Sequence, residues 1–307
     1  MLTEPLAVAP DTAVVHRRFE EATLLSDYWQ LTKPDINLLI AITTGAGFYL
    51  GSSAEWSPSS WMILAHTVFA TVLAASGAAV LNQRMEYRFD ARMRRTARRA
   101  IAAGRIDPDR ALTFGVGLSL AGVTYLRLAG GILPAALAVF TLGSYLLCYT
   151  PLKRRTPLCT LVGAVPGAAP VLIGWAAARG HLDDSAWTLF AIVFLWQLPH
   201  FMSIAWMYRD DYDRAGYQVL PTGRSRADFV VLQTLVPLVA LLPVSLLPLR
   251  AEQPSSFYST CALLLSCGFL YAGARFARVK SGAAARRLLM ASIVYLPALL
   301  ALMIVLA

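Results

Sequence analysis

Asn82, Glu86 and Asp90 stand four residues apart, and an arginine-dense segment follows them: Arg92, Arg94, Arg95, Arg98 and Arg99. On a helix each step of four rotates the side chain by only about 40°, so an amide and two carboxylates fall on one face. They close a long apolar stretch, where an ionised group costs on the order of 3 kcal/mol unless it is paired, hydrated or bound to metal. Two acids beside arginines suit a metal-bridged diphosphate. A second cluster is Trp206-Met207-Tyr208-Arg209-Asp210-Asp211-Tyr212-Asp213-Arg214-Ala215-Gly216, followed by Leu220-Pro221. Mg²⁺ is commonly held by one or two carboxylates together with phosphate oxygens and water. The plainer reading makes these charges solvated anchors at the end of a membrane span. Acids that interrupt rows of arginine, where bases alone would anchor, favour chemistry.

The elements that position these groups are membrane helices. The chain has 307 residues, 57% hydrophobic and 15% charged, against roughly 45–50% and about 25% in soluble domains. Apolar runs near the ~20 residues needed to span a bilayer predict about nine transmembrane helices, near 36–52, 61–83, 109–126, 132–149, 158–178, 185–207, 229–249, 257–275 and 288–307. The fold class is therefore all-α, a polytopic bundle. The formal charge of +9 does not point to nucleic acid. With the amino terminus cytoplasmic, 24 of the 27 Lys and Arg fall on the cytoplasmic side and only Arg127, Arg179 and Arg250 on the other, as the positive-inside rule requires. Both acid clusters then face the cytoplasm. Residues 1–34 form a polar cytoplasmic tail without a signal-peptide core, and 35–307 a single transmembrane domain. Cys148, Cys159, Cys261 and Cys267 lie in or beside spans without ligand spacing and read as small apolar residues.

The pattern Asn82-x3-Glu86-x3-Asp90-x2-Met93-x-Arg95-Thr96 resembles the first motif of the UbiA-type intramembrane prenyltransferases, and within them the protohaem IX farnesyltransferases. Leu31-Thr32-Lys33-Pro34, Tyr149-Thr150-Pro151-Leu152-Lys153-Arg154, Gly163-Ala164-x-Pro166-Gly167-Ala168-x-Pro170, Trp196-Gln197-x-Pro199-His200-Phe201 and Asp211-Tyr212-x2-Ala215-Gly216 follow the same resemblance in order. Departures are Asp35 where the family commonly has Arg, Glu86 where it often has Asp, Ala100 for Pro and Val219 for Met.

The resemblance implies transfer of farnesyl from farnesyl diphosphate to the vinyl group of haem b, within the inner cell membrane. It implies catalytic roles for Asn82, Glu86, Asp90 and Asp211, and Mg²⁺ as cofactor, held by Glu86, Asp90 and Asp211 with Asp210 as a further ligand. Arg95, Arg99, Lys153 and Arg154 would contact diphosphate. His200 would meet haem, as iron ligand or propionate partner, unless it is a hydrogen-bonded structural histidine. If the span runs on as regular helix, His200 shares a face with Asp211 about 16 Å below it. Trp196, Trp206, Tyr208 and Tyr212 could line the prenyl path or, for the last three, form an interfacial belt. A partner in haem A synthesis or oxidase assembly stays open. The rival readings are a sister enzyme acting on a quinone precursor or chlorophyllide, and a transporter, which would place its acids nearer mid-membrane.

Overall fold

The computed structural model describes residues 23–52, 56–223, 225–247 and 255–306. Among them every regular element is helical. Eight helices are long and apolar enough to cross a bilayer: α3 (Pro58–Asp90), α4 (Pro108–Ala129), α5 (Ile132–Leu152), α6 (Cys159–Arg179), α7 (Asp184–Met207), α9 (Ser225–Val244), α10 (Ser256–Val279) and α11 (Gly282–Leu306). The ninth expected segment is α2 (Pro34–Gly51), whose 18 residues are diluted by Asp35 and Asn37 and fall short on apolarity. Two short helices complete the chain, α1 (Leu24–Leu31) and α8 (Arg209–Ala215).

Local signals start the long helices where they start. Ser57 closes a capping box ahead of Pro58, and the carboxylates of Asp107 and Asp183 accept from the first free amides of α4 and α7. Small residues then set the spacing. A Cβ on Gly174 would strike the Thr44 carbonyl, and one on Gly47 the Val171 carbonyl, so α2 and α6 cross with backbones in contact. Gly77 and Gly122 do the same for α3 and α4, against Ser119 and Ala74. Without a hydrophobic drive between helices in lipid, this close approach is what packing has to offer.

Three departures from the apolar runs matter for the site. α3 extends to Asp90 rather than ending near 83, and its 33 residues make a rod of about 50 Å, well beyond the ~30 Å hydrocarbon core. Its last turns therefore overhang the bundle's end. α5 widens into a π-helical turn over Ser144–Tyr149 just before Thr150 and Lys153, a local unwinding that recurs at functional sites. α7 passes through Pro199 unbroken but ends at Met207, because Tyr208 leaves helical geometry (φ −109°, ψ 19°) before α8 begins. α6 likewise runs through Pro166 and Pro170.

Within the expected tail, α1 docks against the α3–α4 connection. Asp27, 2% exposed, receives both nitrogens of Arg105 at 2.8 Å, Tyr28 meets Phe114 edge-on, and Gln83 donates to the Leu31 carbonyl. Hydrogen bonds from Arg105 hold the Asp27 carboxyl below its ordinary range, against the opposing effect of burial. A depressed carboxylate contributes stability above its unfolded pKa near 4 and loses it as pH falls through the folded value. Asp27→Asn should thus cost about 2 kcal/mol at pH 7, less than a fully buried pair because Arg105 is 37% exposed. Thermal unfolding in detergent checks this: the gap between variant and parent should close below pH 4, and a gap constant with pH would refute the ion pair's contribution.

Candidate active site

The overhanging end of α3 is where the charges meet. Asn82, Glu86 and Asp90 are 2%, 6% and 1% exposed, on one face as the spacing predicts. The Asn82 amide donates to Glu86 at 3.1 Å and to the Thr150 hydroxyl at 3.0 Å, while its oxygen accepts from Lys33 at 3.4 Å. Thr150 in turn donates both its backbone N–H and, at 2.9 Å, its hydroxyl to the Tyr145 carbonyl, the first being the wide-turn bond of the π segment. Lys153 reaches both oxygens of Glu86 at 3.0 and 3.1 Å. Arg99 turns back to grip both oxygens of Asp90 at 2.8 and 2.9 Å.

The second cluster joins the first. The Arg95 backbone N–H donates to Asp211 at 3.4 Å, its guanidinium donates to the Tyr212 hydroxyl at 3.2 Å, and it lies 4.5 Å over the Tyr208 ring. Asp211 also pairs with Arg214. Gly216 takes a positive φ of 76° to stop α8, a conformation that needs no Cβ. The chain then folds back, with Gln218 N–H donating to the Lys153 carbonyl at 2.7 Å. Ends of α3, α5 and α7–α8 thus form one cationic and anionic patch at one end of the bundle.

Of the other expected residues, Arg154 lies over the Phe89 ring at 4.9 Å. Asp210 stays at the rim, 78% exposed and only loosely paired with Arg209 at 3.6 Å. His200 does not bond either acid cluster; it bonds Ser292 of α11 at 2.8 Å. Trp196 is buried and donates to the Ser292 carbonyl. Asp35 is exposed in the first turn of α2, where the helix dipole favours an acid.

Three contributors escaped the sequence reading. Lys33 holds a left-handed backbone (φ 54°) ahead of Pro34 and points its ammonium at Asn82; such strain at a non-glycine residue costs of order 1–3 kcal/mol and collects at functional sites. Burial, reinforced by Arg99 and Lys153, pulls it down to about 7. Thr150 sat inside a quoted motif with no assigned role. Tyr217 is 5% exposed, packed on Phe89 and Tyr212. Its buried hydroxyl lies near Glu86 without reaching hydrogen-bond geometry, and burial pushes the phenol far above its ordinary range. Only its place just after the Ala-Gly stop signals it in sequence.

These donors suit a hard divalent cation: carboxylates of Glu86, Asp90 and Asp211 with the amide oxygen of Asn82. Among the described residues no three of His, Cys, Asp and Glu gather around one point. A Mg²⁺ ion completed by substrate phosphate needs only one or two carboxylates.

The UbiA prenyltransferase family matches residues 38–296. This chain belongs to that family. UbiA relatives include the protoheme IX farnesyltransferase of Solibacter usitatus, 46% identical over 91% of this chain and 98% of that protein. Those of Salinibacter ruber, at 40% over 92% and 99%, and Aquifex aeolicus, at 37% over 92% and 95%, are similar too. Among solved UbiA-fold structures, digeranylgeranylglyceryl phosphate synthase aligns with a TM-score of 0.74 and 17% identity, covering 92% of this chain and 98% of that one. A UbiA homologue from Archaeoglobus fulgidus bound to GPP and Mg²⁺ aligns at 0.62 and 11%, covering 91% and 99%. At these identities the likeness establishes the fold.

The Glu86–Lys153 pair should reveal its burial in variants. Lys153→Met strands a buried carboxylate and should destabilise the protein by roughly 3 kcal/mol, whereas Glu86→Gln with Lys153→Met should recover most of that loss. Equal melting of the single and double variants in detergent would contradict a buried pair.

Proposed function

We propose that this protein transfers the farnesyl group of farnesyl diphosphate to a vinyl group of haem b, giving haem O, at the cytoplasmic face of the inner membrane. The observation that carries the reading is the joining of two acid clusters and their cations at one bundle end, in a chain up to 46% identical to named protoheme IX farnesyltransferases. The concentration of Lys and Arg on the loops at that end supports a cytoplasmic orientation.

Ionisation of the C1–O bond places negative charge on diphosphate, which preorganised cations stabilise. Mg²⁺, held by one or two carboxylates drawn from Glu86, Asp90 and Asp211, with Asp210 at the rim and Asn82 beside them, would neutralise the leaving group as a Lewis acid. Lys153, Arg99, Arg95 and Arg154 contribute side chains that exchange a carboxylate or ring partner for phosphate oxygens. Glu86 raises Lys153 despite its burial, so that ammonium stays charged. Burial lowers the pKa of the Lys33 ammonium, and a neighbouring anion would favour its charged form. Below, Tyr145 and Tyr149 pack with centroids 5.5 Å apart and Lys153 over the latter ring; their faces suit an allylic cation. Apolar helix walls keep water from quenching it. C1 joins the terminal vinyl carbon, the neighbouring carbon becomes cationic, and water adds there with loss of one proton. Products are haem O, diphosphate and H⁺.

Purified protein with haem b, farnesyl diphosphate and Mg²⁺ should yield a porphyrin heavier by one farnesyl group plus one hydroxyl, read by mass spectrometry. Asp90→Ala and Asp211→Ala should lower turnover by at least about 10²-fold while the protein stays folded in detergent. An unchanged haem mass with the parent protein would overturn the proposal, and near-normal rates in either variant would remove that residue from the site.

A further inference from the structure

His200 is held in a way that decides which of its nitrogens is free. Its Nδ1 lies 2.8 Å from the Ser292 hydroxyl oxygen. Ser292 has a single hydroxyl proton, and that proton is already given to the Leu289 carbonyl at 2.6 Å. With that proton on the shorter contact, the oxygen is left to accept from the imidazole, which favours the tautomer with hydrogen on Nδ1 and the lone pair on Nε2. Trp196, one turn before His200, donates its indole N–H to the Ser292 carbonyl at 2.7 Å and packs its ring 5.1 Å from the imidazole. Two residues of α7 thus clamp one serine of α11. Nε2 makes no hydrogen bond and is absent from the buried unpaired polar atoms, while His200 as a whole is only partly buried.

A bare Nε2 cannot donate to a carboxylate, so a propionate is a poor partner for it. It is the form in which histidine ligates metals, and ligating histidines characteristically donate their other N–H to a fixed acceptor. Aromatic rings flank the imidazole, Trp196 tilted at 5.1 Å and Phe201 edge-on at 5.8 Å between centroids. We infer that His200 Nε2 is the axial ligand to the iron of the haem substrate, and that Ser292 is a positioning residue that fixes its tautomer. This rests on haem b being the acceptor.

The full-length protein in detergent, titrated with ferric protohaem IX and followed by Soret absorption and electron paramagnetic resonance, tests it without turnover. The parent should show a nitrogen-ligated signature. His200→Ala should lose that signature and regain it with added imidazole. Ser292→Ala should bind haem about 10–100-fold more weakly, and Ser292→Thr, which keeps the hydroxyl, should bind like the parent. An unaltered spectrum in His200→Ala overturns the ligand assignment, and if turnover alone is lost the same lone pair is acting as a base toward water. Unchanged affinity and spectrum in Ser292→Ala overturn its positioning role. A His200-dependent haem spectrum in a parent that fails to farnesylate haem would leave the ligand standing and remove the proposed reaction; a parent that binds no haem removes both.

Discussion

The constraint behind this structure is that a carboxylate withdrawn from water must be met by a cation. Desolvation costs several kcal/mol per ion, and geometry has to recover it. Glu86 and Asp90 are nearly inaccessible, and each is answered by a cation from elsewhere in the chain, Lys153 from the end of α5 and Arg99 from the loop after α3. Asp211 is answered by Arg214 and by a backbone amide of that same loop. Three separate helix ends are therefore tied together by charge at one edge of the bundle. In the proposed reaction these pairs would be the ones to exchange a carboxylate or cation partner for phosphate and metal, because Coulomb attraction is not specific to one partner.

Backbone geometry makes that edge available. α3 is several turns longer than the hydrocarbon is thick, so its acids lie toward one end of the bundle, buried under their cation partners, while another part of it packs on α4 through Gly77 and Gly122. The π turn in α5 brings the Thr150 backbone N–H and hydroxyl both onto the Tyr145 carbonyl, and the fixed hydroxyl accepts from Asn82. Gly216 halts α8 and sends the chain back across Lys153. Each device is local, and each serves to aim a side chain that the helix alone would direct elsewhere.

Sequence reading recovered the helices well, since twenty apolar residues admit few alternatives. It placed α3 and α11 too short because hydropathy tracks the slab of lipid, whereas a helix continues until a cap or a break stops it; Arg286 and Arg287 lie on α11 as surely as its apolar residues do. The shared face of Asn82, Glu86 and Asp90 was legible from their spacing, and Asp211 stood out only as part of a second acid cluster. Their partners were less so: Lys153 lies 67 residues from Glu86, and nothing in a local pattern reports such a pairing. The expected alignment of His200 beneath Asp211 assumed an unbroken helix, and the break at Tyr208 removes it. Ser292 is one hydroxyl in an apolar helix, a residue whose role only contact can disclose.

Polar chemistry in this bundle is ordered by the cost of burial. Full charges cluster at the ends of α3, α5 and α8, whereas polar groups deeper between helices are neutral, and many are bonded: Asn37 with Ser76, Gln197 with the Ala164 carbonyl, His200 with Ser292, and Ser266 with Ser245 and Tyr295. That order follows from physics, since an unpaired charge in hydrocarbon is expensive while a neutral hydrogen bond is not. It also sets how a substrate with a charged head and an apolar chain must lie. On the proposed function the charged head would lie among Lys33, Arg99 and Lys153 and the chain among the apolar walls, and a flat, largely apolar acceptor would be met deeper in the bundle by uncharged groups such as His200.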